Sequence, residues 1–305
     1  MAELRRSDGT SARLLLNQHL IGRGPECALR LSGAYVSAQH ALIRWHGRAW
    51  ELLDRGSRNG TQLDGAAVEP GRPYRLSRGS TVSFGHPDES WIMADLGEPE
   101  TMVVALDTGE ALLGTQGIVG LPSSKDPECT LFLDVDGSWK METPDGSIAT
   151  LSDGETLDCG GRRFRFCLPT ASDATASIGH FGLAEPGTLH FAVSLDEEFV
   201  ELELEYSSRR VPLGSRAHNY LLLTLARKRL EDAAAELPAT SCGWMDKEEL
   251  AEGLKMTPQQ IDGEVFRIRK HFSQHGLKEA ATIVERRPRT KQIRLGVESV
   301  RIDRR

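Results

Sequence analysis

The residues of this chain whose types and spacing could do chemistry fall into two groups. The first lies in the stretch DRGSRNGTQLDG, residues 54–65. Asn-Gly flanked by alternating residues is the strongest short signal for a tight β-hairpin turn, because both central positions must accept positive φ. Asn59-Gly60 therefore reads first as architecture and second as a possible binding edge. The second group is basic: residues 255–305 carry 13 Lys and Arg against 6 Asp and Glu, a net of +7, whereas the remainder has a net of −14. A basic end on an acidic body is expected of a module that meets a polyanion. Nothing is set out for catalysis, since there is no P-loop, no G-x-S-x-G and no H-E-x-x-H. The nine histidines are dispersed, and the acidic residues of DEEFVELELE (196–205) alternate as an exposed strand face rather than a carboxylate pair. The chain is not expected to be an enzyme, nor to hold a cofactor or a metal.

These groups need elements to position them. A length of 305 residues suggests roughly two or three domains, and 39% apolar with 27% charged residues is a globular composition. No apolar run approaches the ~18 residues that span a bilayer, and the first residues have no apolar core of signal-peptide length, which speaks against export and membrane insertion. Five scattered cysteines without a CxxC pair argue against a disulfide framework or a structural zinc, so a reducing cytoplasm is the expected location. Residues 11–95 are strand-like throughout (ARLLL, HLIG, ALRL, HALIRW, AWELL, PYRL, TVSF, SWIMA), with Gly, Pro and Asn between them, which reads as a sandwich or barrel. A second β-rich stretch at about 102–168 is read as a shortened repeat of the first: PECALRL (25–31) recurs as PECTLFL (127–133), and GRAWELLDRGS (47–57) is similar to GSWKMETPDGS (137–147).

Residues 169–187, rich in small residues, Gly and Pro, read as a linker. Strands at about 188–213 then precede a helix near 216–236, whose apolar positions Tyr220, Leu223, Leu230, Ala234 and Leu237 follow helical spacing. A short helix opens at Asp246. A third opens on Thr257-Pro258-Gln259-Gln260, with Thr as N-cap, Pro at the first helical position and Gln at the third. Its buried stripe should be Ile261, Val265, Ile268 and Phe272. A basic hairpin, TIVERRPRTKQIRLG, follows.

Gly22-Arg23, Ser37-Ala38-Gln39-His40 and Gly56-Ser57-Arg58-Asn59-Gly60-Thr61 occur in this order within one β-rich stretch. Over about residues 11–95 the ensemble resembles the forkhead-associated (FHA) family of phosphothreonine-binding sandwiches. The resemblance implies that Arg23 and Ser37 contact the phosphate and that Asn59 grips the adjoining peptide backbone. For Arg58 two readings stay open, an added contact to phosphate or peptide and a side chain in water. Gly22, His40 and Gly60 support the loops, His40 as a buried brace, and the turn at Asn59-Gly60 is the device that presents Asn59. Ala38 departs from the pattern, since many members carry a basic or amide side chain there. The second β stretch has Leu121 where Arg23 would align and no Ser-x-x-His, so it is expected to bind no phosphate.

Strands, three helices and a basic hairpin over roughly 188–303 resemble the winged-helix DNA-binding domain of OmpR-type response regulators, on IDGEVFRIRKHF followed by IVERRPRTKQIRLG. At ~100° per residue, Gly263, Arg267, Lys270 and Gln274 fall opposite the buried stripe, where a recognition helix meets the major groove. Arg286, Arg287, Arg289, Lys291 and Arg294 of the hairpin would reach phosphates or the minor groove.

The expected organisation is multidomain: an all-β FHA sandwich at 1–98, a degenerate FHA-like β module at 99–170, a linker at 171–187 and an α+β winged helix at 188–305. The expected function is a phosphothreonine-dependent transcriptional regulator. Its partners would be a phosphorylated Ser/Thr kinase, a kinase substrate or a second copy of the chain, together with double-stranded DNA. The alternative is a phospho-dependent adaptor whose winged helix binds protein.

Overall fold

The computed structural model describes residues 1–169, 187–206, 209–277 and 279–305. The linker expected at 171–187 lies, apart from its last residue, outside the described residues. The molecule divides into two compact units, Met1–Leu113 with the stretch that begins at Arg165, and Gly114–Phe164 with the C-terminal part of the chain. The division thus runs through the segment expected as one β module rather than at residues 98 and 99.

In the first unit two sheets face each other. One has six strands, in the order Ala12–Leu14, Ala2–Arg6, Ser90–Leu96, Thr81–Phe84, Thr61–Leu63, Ala66–Ala67. The other has five, in the order Leu29–Arg30, Gln18–Gly22, Ala41–Trp45, Trp50–Asp54, Tyr74–Arg75. Successive side chains of a strand point to opposite faces, and Trp50, Leu52 and Asp54 are buried while Glu51 and Leu53 are half-buried. The inward positions, among them Leu4, Ile21, Ile43, Trp50, Leu52, Val82, Phe84 and Met93, make one core. Eight of its strands lie where the apolar patches were read. Ala2–Arg6 was not anticipated, because only Ala2 and Leu4 of AELRR turn inward and the rest is charged.

The Asn59-Gly60 turn is a correction. Trp50–Asp54 and Thr61–Leu63 belong to different sheets, so the residues between them form a crossing and not a hairpin. Gly60 has φ +76° but Asn59 is not in the left-handed region. The tight hairpin of this stretch is instead Asp64-Gly65, with φ of 51° and 82°, joining Leu63 to its cross-strand partner Ala66.

The second unit holds an antiparallel four-stranded sheet in the order Ile118–Leu121, Cys129–Leu133, Trp139–Glu142, Ile148–Thr150. This runs as Gln18–Gly22, Ala41–Trp45, Trp50–Asp54 and Tyr74–Arg75 run in the first unit. The shared heptad lands at different places, however. Leu29–Arg30 pairs in parallel at a sheet edge, whereas Cys129–Leu133 is central and antiparallel.

Beyond residue 187 come strands Thr188–Val193, Val200–Tyr206 and Arg209–Ser215, then helices α1 (Asn219–Ala234), α2 (Lys247–Gly253) and α3 (Pro258–Gln274). The hairpin Val284–Arg287 and Gln292–Leu295 follows, with Met245–Asp246 added as a third strand, and Ser299–Arg304 returns to pair in parallel with Thr188–Val193. The start of α3 follows its local chemistry: Thr257 Oγ1 accepts from Gln260 N–H and Gln260 Oε1 accepts from Thr257 N–H. Asp246 caps α2 by accepting from Glu248 N–H. For α1 the expected stripe was partly wrong. Leu223 is buried, but Leu230 and Leu237 are exposed, and the helix buries Leu221, Leu222, Leu225 and Ala226 instead. The run LLLTLA offers two apolar stripes, and tertiary packing chose between them. Among the described residues no helix is long and apolar enough to cross a membrane.

Candidate functional site

Strand Gln18–Gly22 carries Arg23 to one end of the sandwich. A Cβ on Gly22 would lie 2.3 Å from the Ala38 carbonyl oxygen, so only glycine lets these backbones run side by side. Arg23 N–H donates to the Ser37 carbonyl and Gly24 N–H to that of Ala38, each at 2.9 Å. The positions of Arg23 and Ser37 are thus fixed relative to each other by main-chain bonds. The Arg23 side chain is exposed and, among the described residues, has no carboxylate partner.

The crossing after Trp50–Asp54 brings the third part. Asp54 accepts from the N–H groups of Gly56 and Ser57 at 2.8 Å, from Ser57 Oγ at 2.6 Å and from Thr61 Oγ1 at 2.5 Å. Burial alone would push the Asp54 carboxyl up, but these donors prevail and hold it below the usual carboxylate range. With the loop so tied, Arg58 N–H donates to Ser37 Oγ at 3.0 Å and Asn59 Nδ2 to the Tyr35 carbonyl at 2.8 Å. The side chains of Arg58 and Asn59 are exposed.

His40 is fully buried beneath these loops. Its Nδ1 accepts from Ser37 N–H and its Nε2 lies 3.1 Å from the Gly60 carbonyl, which fits a neutral ring with the proton on Nε2. Burial lowers its pKa, and the Gly60 carbonyl and Asp54 only partly oppose that. Replacing His40 with alanine leaves Ser37 N–H without its acceptor and opens a cavity. An unpaired buried group costs ~1–3 kcal/mol, and the lost packing adds to it. We expect His40→Ala to destabilise the sandwich by about 2–4 kcal/mol, read as a lower urea midpoint; an unchanged midpoint would remove the bracing role.

Three contributors were missed by sequence reasoning. Tyr35 accepts the Asn59 amide, and a Cβ on Gly85 would meet the Tyr35 carbonyl oxygen at 2.4 Å. Asp54 was read only as part of a turn. Arg30 sits opposite Gly22 in parallel register, with its Nε 3.3 Å from the Arg23 carbonyl, and it lines one open cleft with Arg23, Gly24, Ser32 and Ala38. The strand pairing that places Arg30 has no local signature.

The residues read as DNA-facing are not brought together as a free surface. Gly263 is buried. Arg267 is paired with Glu264 and its Nη2 lies 3.5 Å from the Lys125 carbonyl, while Lys270 lies 6.0 Å above the Phe266 ring. Gln274 is exposed. Arg286, expected on the outside of the hairpin, has a side chain only 6% exposed, paired with Glu142 and Asp262. Arg287 and Arg294 pack their guanidiniums 4.3 and 4.5 Å from the Trp244 ring centroid, and Arg294 also pairs with Glu285. Lys291 pairs with Glu248 at 2.7 Å. Arg289 is exposed without an ion pair among the described residues. Cation count had suggested a row of free donors, but most of these charges have partners within the fold.

Comparison with known proteins bears on the first of these two regions. The family model of the FHA domain matches residues 19–85. FhaB, an FHA domain-containing protein of Mycobacterium tuberculosis, is 38% identical over 78 residues, which is 25% of this chain and 49% of that protein. FhaA of the same organism is 34% identical over 80 residues, 26% of this chain and 15% of that one. The human nuclear inhibitor of protein phosphatase 1 is 29% identical over 114 residues, 35% of this chain and 32% of its own length. The chain therefore spans half or less of the length of these relatives. Among solved structures, an FhaA FHA domain matches at 33% identity over 30% of this chain and 98% of that one, with a TM-score of 0.27. The N-terminal FHA domain of Rad53p from S. cerevisiae, solved with a phosphothreonine peptide, matches at 23% identity over 30% of this chain and 87% of that one, with a TM-score of 0.27.

Proposed function

Starting from the FHA domain at residues 19–85, we propose that the protein is a phosphothreonine-dependent signalling protein whose reader site is Arg23, Ser37, Arg58 and Asn59. The observation that carries this reading is an exposed guanidinium, without a carboxylate partner among the described residues, on a backbone bonded directly to that of Ser37. A phosphothreonine brings about −1.5 to −2 charges and three acceptor oxygens, and an arginine fork can donate two parallel bonds to them. Arg30 and Arg58, exposed and likewise without carboxylate partners among the described residues, add to the positive field. Partners would be a phosphorylated Ser/Thr kinase, its substrate or a second copy of the chain, in the cytoplasm.

The test is calorimetric titration with one peptide in phosphothreonine, phosphoserine and unphosphorylated forms. Binding is expected for the phosphothreonine form and absent for the unphosphorylated one. The phosphoserine form should be weaker by on the order of 1 kcal/mol for one buried methyl. Equal affinity for phosphorylated and unphosphorylated peptide would end the proposal.

For the output we propose DNA binding by the α3–hairpin region, giving a transcriptional regulator. The net charge of +7 in residues 255–305 and the order of strands, three helices and hairpin support this. A second reading, an adaptor whose C-terminal region binds protein, is favoured by the burial of Gly263 and Arg286. Salt separates the two. Neutralising several DNA phosphates releases counterions, so affinity must fall steeply as salt rises. Anisotropy on random duplex is expected to lose at least tenfold between 50 and about 200 mM salt; no binding at low salt would favour the adaptor.

A further inference from the structure

We propose that the β module at 118–164 is a binding domain whose ligand is the α3–hairpin surface of its own chain, and that duplex DNA must displace it to reach α3. The proposal rests on the DNA reading of α3 given above.

The contact is built on three kinds of interaction. An apolar patch joins Ile118 and Phe132 of the module to Phe266 of α3. Gly120 makes room for it, since a Cβ there would lie 3.0 Å from the Phe266 ring. Beside the patch, Glu142 is buried between two guanidiniums, Arg269 of α3 and Arg286 of the hairpin. Arg286 continues to Asp262, which Lys247 also holds at 3.1 Å. Around the edge, Gln259 Nε2 donates to Asp126, Ser273 Oγ to the Gln116 carbonyl, and Arg289 N–H to the Asp145 carbonyl at 2.9 Å. Helix and hairpin are thus engaged together, on the side of α3 next to the face that carries Gly263, Arg267, Lys270 and Gln274.

The loops that make this contact have counterparts in the first unit. There, the loops leaving strands Gln18–Gly22 and Trp50–Asp54 carry Arg23 and Asn59. In the second unit, the loops leaving Ile118–Leu121 and Trp139–Glu142 carry Asp126 and the Pro144-Asp145-Gly146 turn that meets Arg286 and Arg289. The loop leaving Ile118–Leu121 has no arginine, and Leu121, aligned with Arg23 in the sequence, instead ends the strand and pairs with Cys129. Of its carboxylates, Glu142 is matched to two guanidiniums and Asp126 to the neutral Gln259 amide. At the same end of the same strand order the first unit carries an exposed arginine and the second a buried carboxylate matched to arginines.

The experiment uses the full chain with two variants. Glu142→Gln removes the charge that holds Arg269 and Arg286. Gly120→Val drives a wedge toward Phe266 and the module's own Pro127 without touching the ion pairs, at a position whose φ is ordinary. Hydrogen exchange is followed in 258–274 and 284–295, and anisotropy is measured on random duplex at low salt. Both variants are expected to exchange at least about tenfold faster in these segments and to bind duplex at least about tenfold more tightly than the parent chain. Unchanged exchange in folded variants would overturn the contact as a lock. Faster exchange with unchanged DNA affinity would overturn the competition. Faster exchange in chains that never bind duplex would also overturn the competition, while locating the failure in the DNA reading and leaving the intramolecular contact in place.

Discussion

Arg23→Ala is expected to reduce phosphothreonine-peptide affinity by about 30-fold to several thousand-fold, while the sandwich keeps its stability. The reason lies in what each state loses. In the free protein the Arg23 guanidinium is exposed and has no carboxylate partner among the described residues, so its removal breaks no ion pair. In the complex it would be the charge facing the phosphate, and truncating one side of such a desolvated pair costs ~2–5 kcal/mol, at about 1.4 kcal/mol per factor of ten. Arg23→Lys should recover only part of this, because an ammonium cannot donate the parallel pair of bonds a guanidinium offers. The main-chain bonds from Arg23 and Gly24 to Ser37 and Ala38 do not depend on the side chain, so the loops should hold. Equal calorimetric affinity of Arg23→Ala and the parent chain would place the phosphate elsewhere.

Glu142→Ala is expected to act in the opposite sense, on stability first. Arg269 is 1% exposed and Glu142 is 4% exposed, and the carboxylate faces Arg269 and Arg286 together. Removing it leaves two buried guanidiniums short of their counter-charge. Breaking a buried pair from one side costs ~3–5 kcal/mol. Arg269 keeps its bond to the Val284 carbonyl at 2.6 Å and Arg286 keeps Asp262, so the loss should fall in this range and not above it. We expect the second unit to unfold at a clearly lower urea concentration; an unchanged midpoint would mean the network is not stabilising.

The same group sets a pH dependence. Burial by itself would raise the Glu142 pKa, but Arg269 and then Arg286 more than reverse this and hold it below 4.5. A carboxyl whose folded pKa is lowered binds fewer protons folded than unfolded, so its stabilisation is complete above the unfolded value. That contribution declines as pH falls from about 4.5 through the folded value, and Glu142→Ala should lack this part of the acid transition.

Much of the local geometry of the proposed reader site was legible from local order. Gly22-Arg23, Ser37, His40 and Asn59-Gly60 are assembled by the strands in which they were read, and His40 is the buried brace. The Asn59-Gly60 turn was misread, because Asn-Gly is a hairpin signal only when both flanking strands share a sheet. Here Asp54 takes the N–H groups of Gly56 and Ser57 and the chain crosses between sheets, leaving the hairpin to Asp64-Gly65. Arg30 and Tyr35 were missed for a related reason: what each contributes is a place in the pairing, not a residue type with a pattern of its own.

By itself, then, the amino-acid order determined the elements whose causes are short-range. These are the period-two strands of the sandwich, the capping box at Thr257 and Gln260 and the buried stripe of α3. Tertiary structure alone decided which charges are free. Arg269 drew no notice in its own helix and meets Glu142 across 127 residues of sequence, and Arg286, read as an exposed wing cation, is buried with it. The physical reason is that turn geometry, capping and side-chain alternation act over a few residues, whereas the partner of a buried charge is set by whichever distant surface excludes water from it.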